Sequence, residues 1–336
     1  MGSHLAFTRL VHSDWSVDPR KRWTAMAVRT KPGWHVEPVE QTPPAADFLN
    51  LLFDGNYITL AGFDFAIGLP SFFIDRIKFA FSEEFDFRNL LTVLSTERWR
   101  DFFVVAENPN EIALTRPFYP HRSIGGVKRQ HLIDALGCAT FAQLLRSCDK
   151  ATPRRGAASP LFWTLGPKQV GKAALSGWQE ILVPARGREA YFWPFDGALE
   201  PSARHILTIA ETYPAESYRH VGINLRSGMS KRRQIDRTKA LAGMTDWCAA
   251  NQIILSSGVK SQVACGFGRE EAGEDPFDAF AGLIAMIEVA DGRRMAAPDS
   301  NVSIQKREGW ILGQTELPAQ SERSPRLSEL RLEMPQ

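Results

Sequence analysis

The sequence predicts an α/β protein, strands with helices between them and a large, mainly helical insertion. Three observations point there. Residues 5–11, 23–28 and 34–39 are short apolar runs separated by turn formers, the spacing of an antiparallel meander. Residues 57–65 (YITLAGFDF) are apolar almost without a break, as in a strand covered on both faces. Residues 275–289 repeat apolar side chains at helical spacing, with Phe280, Leu283, Ile284 and Ile287 on one stripe.

The first run suits a strand ending near Asp14, and Asp18-Pro19-Arg20-Lys21 reads as the hairpin turn that follows. Ala45, Phe48, Leu49 and Leu52 give helical spacing over 45–53, with Gly55 as a stop signal. The buried strand at 57–65 ends at Asp64, ahead of Gly68-Leu69-Pro70. Residues 72–160 are less regular and rich in aromatics, Arg and Pro. They read as an accessory insertion with helical pieces near 87–95 and 129–136, a candidate cap over the site. A loop over 166–184 leading into a helix is expected next, then strands at 191–195 and 206–210 and a helix from Ala215. One helix is expected over 230–251, the amphipathic helix over 275–289, and a last short strand over 308–312.

Residues 1–6 read as an expression scar with N-terminal residues, 7–318 as one domain, and 319–336 as a polar, disordered tail. A net charge of +2 gives no overall attraction to nucleic acid or to an anionic membrane, so either would need a local basic patch. No run reaches the roughly 18 consecutive apolar residues of a membrane span. Cys138, Cys148, Cys248 and Cys265 form no CxxC pair, which argues against a disulfide framework or a structural zinc. Cytoplasmic residence is the resulting expectation.

Four carboxylates share a context. Asp14 and Asp64 end strands, Glu211 follows the run ILTIA, and Asp278 opens the helix over 275–289. Ligands of open α/β sheets bind beyond the carboxyl ends of the strands. A cluster of acids there suits a hard cation, Mg²⁺ or Mn²⁺. Each acid has a plainer explanation. Asp14 could be a turn residue, Glu216 could complement a helix dipole, and Asp275 before Pro276 could be an N-cap. Glu216 and Asp275 are therefore secondary acidic candidates.

Five segments occur in order: Asp14-Trp15-Ser16, Gly62-Phe63-Asp64-Phe65-Ala66-Ile67-Gly68-Leu69-Pro70, Glu211-Thr212-Tyr213-Pro214-Ala215-Glu216, Asp275-Pro276-Phe277-Asp278-Ala279-Phe280 and Glu308-Gly309-Trp310-Ile311. The set resembles the family of predicted ribonuclease H-like nucleases known as domain of unknown function 429, over about residues 9–314. The resemblance implies a ribonuclease H-like mixed sheet whose first three strands are antiparallel. It also implies that Asp14, Asp64, Glu211 and Asp278 correspond to acidic metal-site positions.

Two basic motifs stand out. Gly166-Pro167-Lys168-Gln169-Val170-Gly171-Lys172-Ala173 approaches a P-loop. Ala173 lacks the Mg²⁺-binding hydroxyl and Pro167 removes an amide donor. A helix start that holds a phosphate, with Lys168 or Lys172, is the intermediate reading. Lys231, Arg232 and Arg233 lie in a basic run over 226–237 that reads as a solvated face or as a phosphate grip. His121 and His220 have no nucleophile at a telling spacing, and no G-x-S-x-G occurs.

The leading expectation is a metal-dependent nuclease or phosphodiesterase using a metal-activated water, on a nucleic-acid or other phosphoester substrate. The alternatives are a nucleotide-dependent phosphotransferase and a non-catalytic protein that binds metal or nucleic acid.

Overall fold

The computed structural model describes residues 6–81, 84–122, 126–165, 170–218 and 220–318. The expected disordered tail, most of the N-terminal scar, and Lys168 lie outside them. Strands β1 (Arg9–Asp14), β2 (Trp23–Arg29) and β3 (Trp34–Val36) pair in antiparallel succession. Asp18 caps the turn Pro19–Lys21, accepting from the Arg20 backbone N–H at 3.1 Å. The third apolar run stops short of its expected end. Pro38 has no N–H for a ladder, and a separate strand β4 (Glu40–Gln41) returns to β2.

β5 (Thr59–Phe63) is buried along its whole length. It lies parallel to β1 on one side and to β7 (Leu207–Glu211) on the other, with β6 (Tyr191–Phe192) beyond β7. β8 (Ile253–Leu255) runs parallel to β3 at the far edge. The eight-stranded mixed sheet has the order β6-β7-β5-β1-β2-β3-β8, with β4 on β2.

Strand alternation divides the core into two layers. Val11, Ala61, Phe63 and Ile209 face one, which is strongly aromatic. It is covered by α1 (Ala45–Leu52), α2 (Ser71–Ile77), α3 (Phe87–Leu94) and α4 (Arg129–Leu136), and by α5 (Val170–Gly177), which continues through a wider turn at Trp178–Leu182 into α6 (Val183–Gly187). Leu10, Leu60 and Ala210 face the other layer. There lie α7 (Pro214–Ser217), α8 (Gln234–Ala240), α9 (Met244–Ala250), α10 (Ser257–Ala264) and α11 (Glu274–Ala290). Helix α12 (Val302–Glu308) follows near the end of the described chain.

Four expectations need correction. The helix expected over 230–251 is two, because Gly243 at φ +86° breaks it between α8 and α9. The helix expected from Ala215 is the single turn α7. The strand expected over 308–312 is instead the end of α12, Gly309 at φ +84°, and one parallel bridge between Glu211 and Ile311. A side chain at Gly309 would place its Cβ 2.2 Å from the Ile67 carbonyl oxygen, so the close crossing there requires glycine. Finally, α11 is not amphipathic in place: from Pro276 to Val289 every residue but Ala285 is buried. Among the described residues no helix is long and apolar enough to cross a membrane.

Candidate acidic site

The site is built where α11 crosses the end of β1. His12 and Asp14 are two residues apart on β1 and point to the same face. Asp278 and Gly282 are four residues apart on α11 and also share a face. Two strand residues advance about 6.6 Å and four helix residues about 6 Å, so the two pairs can match. Gly282 makes the match close: a Cβ there would lie 2.1 Å from His12 Nε2. His12 itself is fully buried, bonded through Nε2 to Thr212 Oγ1 at 2.8 Å. Burial pushes its pKa down to about 3, so the ring is neutral.

Asp64 follows the last residue of β5, beside Asp14 on the neighbouring strand. The Trp15 backbone N–H donates to Asp64 Oδ1 at 2.7 Å, and the Asp14 and Asp64 carboxyls hydrogen-bond to each other. Burial, the Asp64 charge and that hydrogen bond hold the Asp14 carboxyl well above its usual range, with Asp278 and Asp275 adding to the effect. Burial also raises Asp64, against the hydrogen bonds from Asp14 and Trp15.

Asp278 completes the group. Tyr218 Oη donates to its Oδ1, and Lys231 Nζ donates to its Oδ2. The same ammonium lies 3.0 Å from Glu274 Oε1, one turn earlier on α11. Burial works against the Lys231 charge, but Asp278 and Glu274 outweigh it and push the pKa up. Glu274 and Asp275 occupy the first turn of α11. Asp275 stands alongside, its pKa pushed up to about 6 by burial and by Glu274 and Asp278, against Lys21 and Lys231.

Asp14, Asp64 and Asp278, with Asp275 at the margin, are therefore together. Glu211 is not with them. It is in register with Phe63, not with Asp64, so it falls on the opposite face of the sheet. There it is buried and takes both terminal nitrogens of Arg146, at 2.6 and 2.7 Å, and the Ile67 N–H at 2.6 Å. Burial raises its pKa and the Arg146 charge opposes the rise. Glu216 is likewise elsewhere, 3.1 Å from Arg155. Of the four expected acids, Asp14, Asp64 and Asp278 neighbour one another, and Glu211 is instead a structural partner of arginine.

The basic run is ordered around the same place. The buried Arg237 guanidinium donates to the carbonyls of Lys231, Gly266 and Gly268, the last two at 2.7 and 2.8 Å. It thereby fixes the backbone that delivers Lys231. Arg232 pairs with Glu271 at 2.7 Å and Arg233 with Asp236 at 2.6 Å, all but Asp236 being exposed side chains. Lys172 lies on α5, one turn before Ser176, which accepts from Trp15 Nε1 at 3.0 Å.

Sequence reasoning missed Tyr218, Glu274 and Lys21. Glu274 had a readable signal, since its i,i+4 spacing to Asp278 puts both on one helix face. Tyr218 and Lys21 had none. Among the described residues, and with the side chains as they stand, no group of three or more His, Cys, Asp or Glu could hold a metal ion. No protein-family model, curated protein or solved structure matched the chain.

Proposed function

We propose that this protein is a metal-dependent phosphodiesterase with a ribonuclease H-like sheet, acting on a nucleic-acid or related phosphodiester. The observation that carries the reading is the buried carboxyl pair Asp14–Asp64 at the ends of adjacent parallel strands, with Asp278 near enough to act on both. Three antiparallel strands, followed by parallel β5 and β7 beyond β1, are compatible with that fold.

The donor chemistry suits a hard divalent cation, because it consists of buried carboxylate oxygens, but the three side chains as they stand do not converge on one ion and would have to draw together to hold it. Asp14, Asp64 and Asp278 are the residues that would hold Mg²⁺ or Mn²⁺. The ion, when bound, supplies activation of water and neutralisation of phosphoryl charge. The chain's own contribution is positional. The Trp15 N–H orients Asp64, and the packing of Gly282 on His12 sets the depth of Asp278. Arg232 is held at 2.7 Å by the exposed Glu271, a pair worth little in water, and can turn to a backbone phosphate, whereas Arg233 is fixed by the buried Asp236 and the Gly228 carbonyl.

The test is hydrolysis of single-stranded RNA, single-stranded DNA, an RNA–DNA hybrid and an activated phosphodiester with Mn²⁺. Asp64→Asn is expected to abolish turnover on whichever substrate the wild type cleaves. Equal cleavage by the variant would move the chemistry away from this site. Metal binding without turnover on any substrate would favour a non-catalytic binder.

A further inference from the structure

We propose that Lys231 is a built-in counter-cation that a divalent ion must displace from Asp278 in order to bind. The inference rests on the metal reading above and concerns how that site is loaded. Its basis is the occupation of Asp278: one oxygen accepts from Tyr218 and the other from Lys231. Each of those oxygens keeps a second lone-pair direction, so the obstacle to a divalent ion is the ammonium charge held against the same carboxylate, not a lack of acceptor sites. The ammonium thus stands where positive charge is needed to hold three neighbouring acids together.

Three features make the arrangement a switch rather than a fixed salt bridge. The Lys231 side chain keeps 34% of its exposure, so its head has a route to solvent. Glu274 offers a second acceptor, 3.0 Å from the same nitrogen and one turn, about 6 Å, along α11 from Asp278. Arg237 pins the Lys231 carbonyl, so the backbone stays put while the four-carbon stem swings. Displacement needs only a rotation of the side chain from Asp278 to Glu274. It leaves the ammonium paired with Glu274, in the first turn of α11.

Ion and ammonium are then competitors for one carboxylate, and each weakens the other's hold. Two measurements test this. The first is calorimetric titration of Mn²⁺ into wild type and Lys231→Met at pH 8. The variant is expected to bind roughly tenfold tighter, within the usual span of site-to-site coupling. The second is amine acylation of the folded wild type, read by mass spectrometry with exposed Lys239 as internal reference. Lys231 is expected to be protected in the metal-free protein and to become reactive when Mg²⁺ is added.

Unchanged or weaker Mn²⁺ binding by Lys231→Met overturns the proposal. So does Lys231 labelling that Mg²⁺ leaves unchanged or lowers, a readout that needs no variant to fold. Binding by neither protein removes the metal reading and the displacement together. Binding by wild type that the variant does not improve removes the displacement alone.

Discussion

Asp275 sits beside the three central acids and keeps its proton to about pH 6, against an ordinary value of 3.8. A carboxyl whose folded pKa is raised stabilises the fold fully below the unfolded value and loses that contribution as pH rises through the folded one. The window here runs from 3.8 to about 6. Asp275→Asn removes the cost of the buried charge. It is expected to leave stability unchanged at pH 3.5 and to raise it by roughly 1–2 kcal/mol at pH 8. Urea denaturation at the two pH values measures this, and a less stable variant at pH 8 would contradict the assignment. At this scale the sequence was informative where position alone decides. Asp14 and Asp64 end strands, and Asp278 opens a helix. Glu211 also ends a strand, but its side depends on a register with Phe63 that only the paired strands define. Lys231 was legible as a cation near the site, not as the partner of Asp278 and Glu274.

The packing of α11 on β1 turns on Gly282. Its alanine variant would drive a Cβ into the His12 ring and disturb the His12–Thr212 hydrogen bond. Alanine is the better helix former by about 1 kcal/mol, yet overpacking typically costs about 1–3 kcal/mol. Gly282→Ala is therefore expected to lower stability in thermal unfolding, and to weaken Mn²⁺ binding because Asp278 rides on the same face. A stabilised variant would mean that the helix has room to move away. Elements with long apolar runs, β5 and α11, were readable for the reason that they are buried on both or all sides. β8 has only Ile253-Ile254-Leu255 to announce it, and α10 begins Ser257-Gly258, a poor helical start. Both are held by partners distant in the chain, β3 and the layer around α11, which no local pattern encodes.

Across the whole molecule, the buried Arg146 ties together segments far apart in sequence. It bonds Glu211 at the end of β7, Asp149 within its own segment, and the Ile67 carbonyl at 3.1 Å. Nearby, Glu308 accepts from the backbone N–H groups of Ser71 at 2.9 Å and Ser147 at 2.6 Å. The segment inserted after β5 is thus locked to the sheet by ions, not only by its aromatic layer. Arg146→Met leaves Glu211 and Asp149 buried without their cation and is expected to cost about 3–5 kcal/mol. A shift of the urea midpoint measures it, and an unshifted midpoint would mean that the two acids simply take up protons.

The sheet's outermost members are brief: β6 is two residues long and β8 is three. Each leaves very few backbone rungs on which a foreign strand could grow. A sheet this wide and this apolar is thereby spared from acting as a seed for cross-molecular stacking, even though Ile254 in β8 shows its side chain to water.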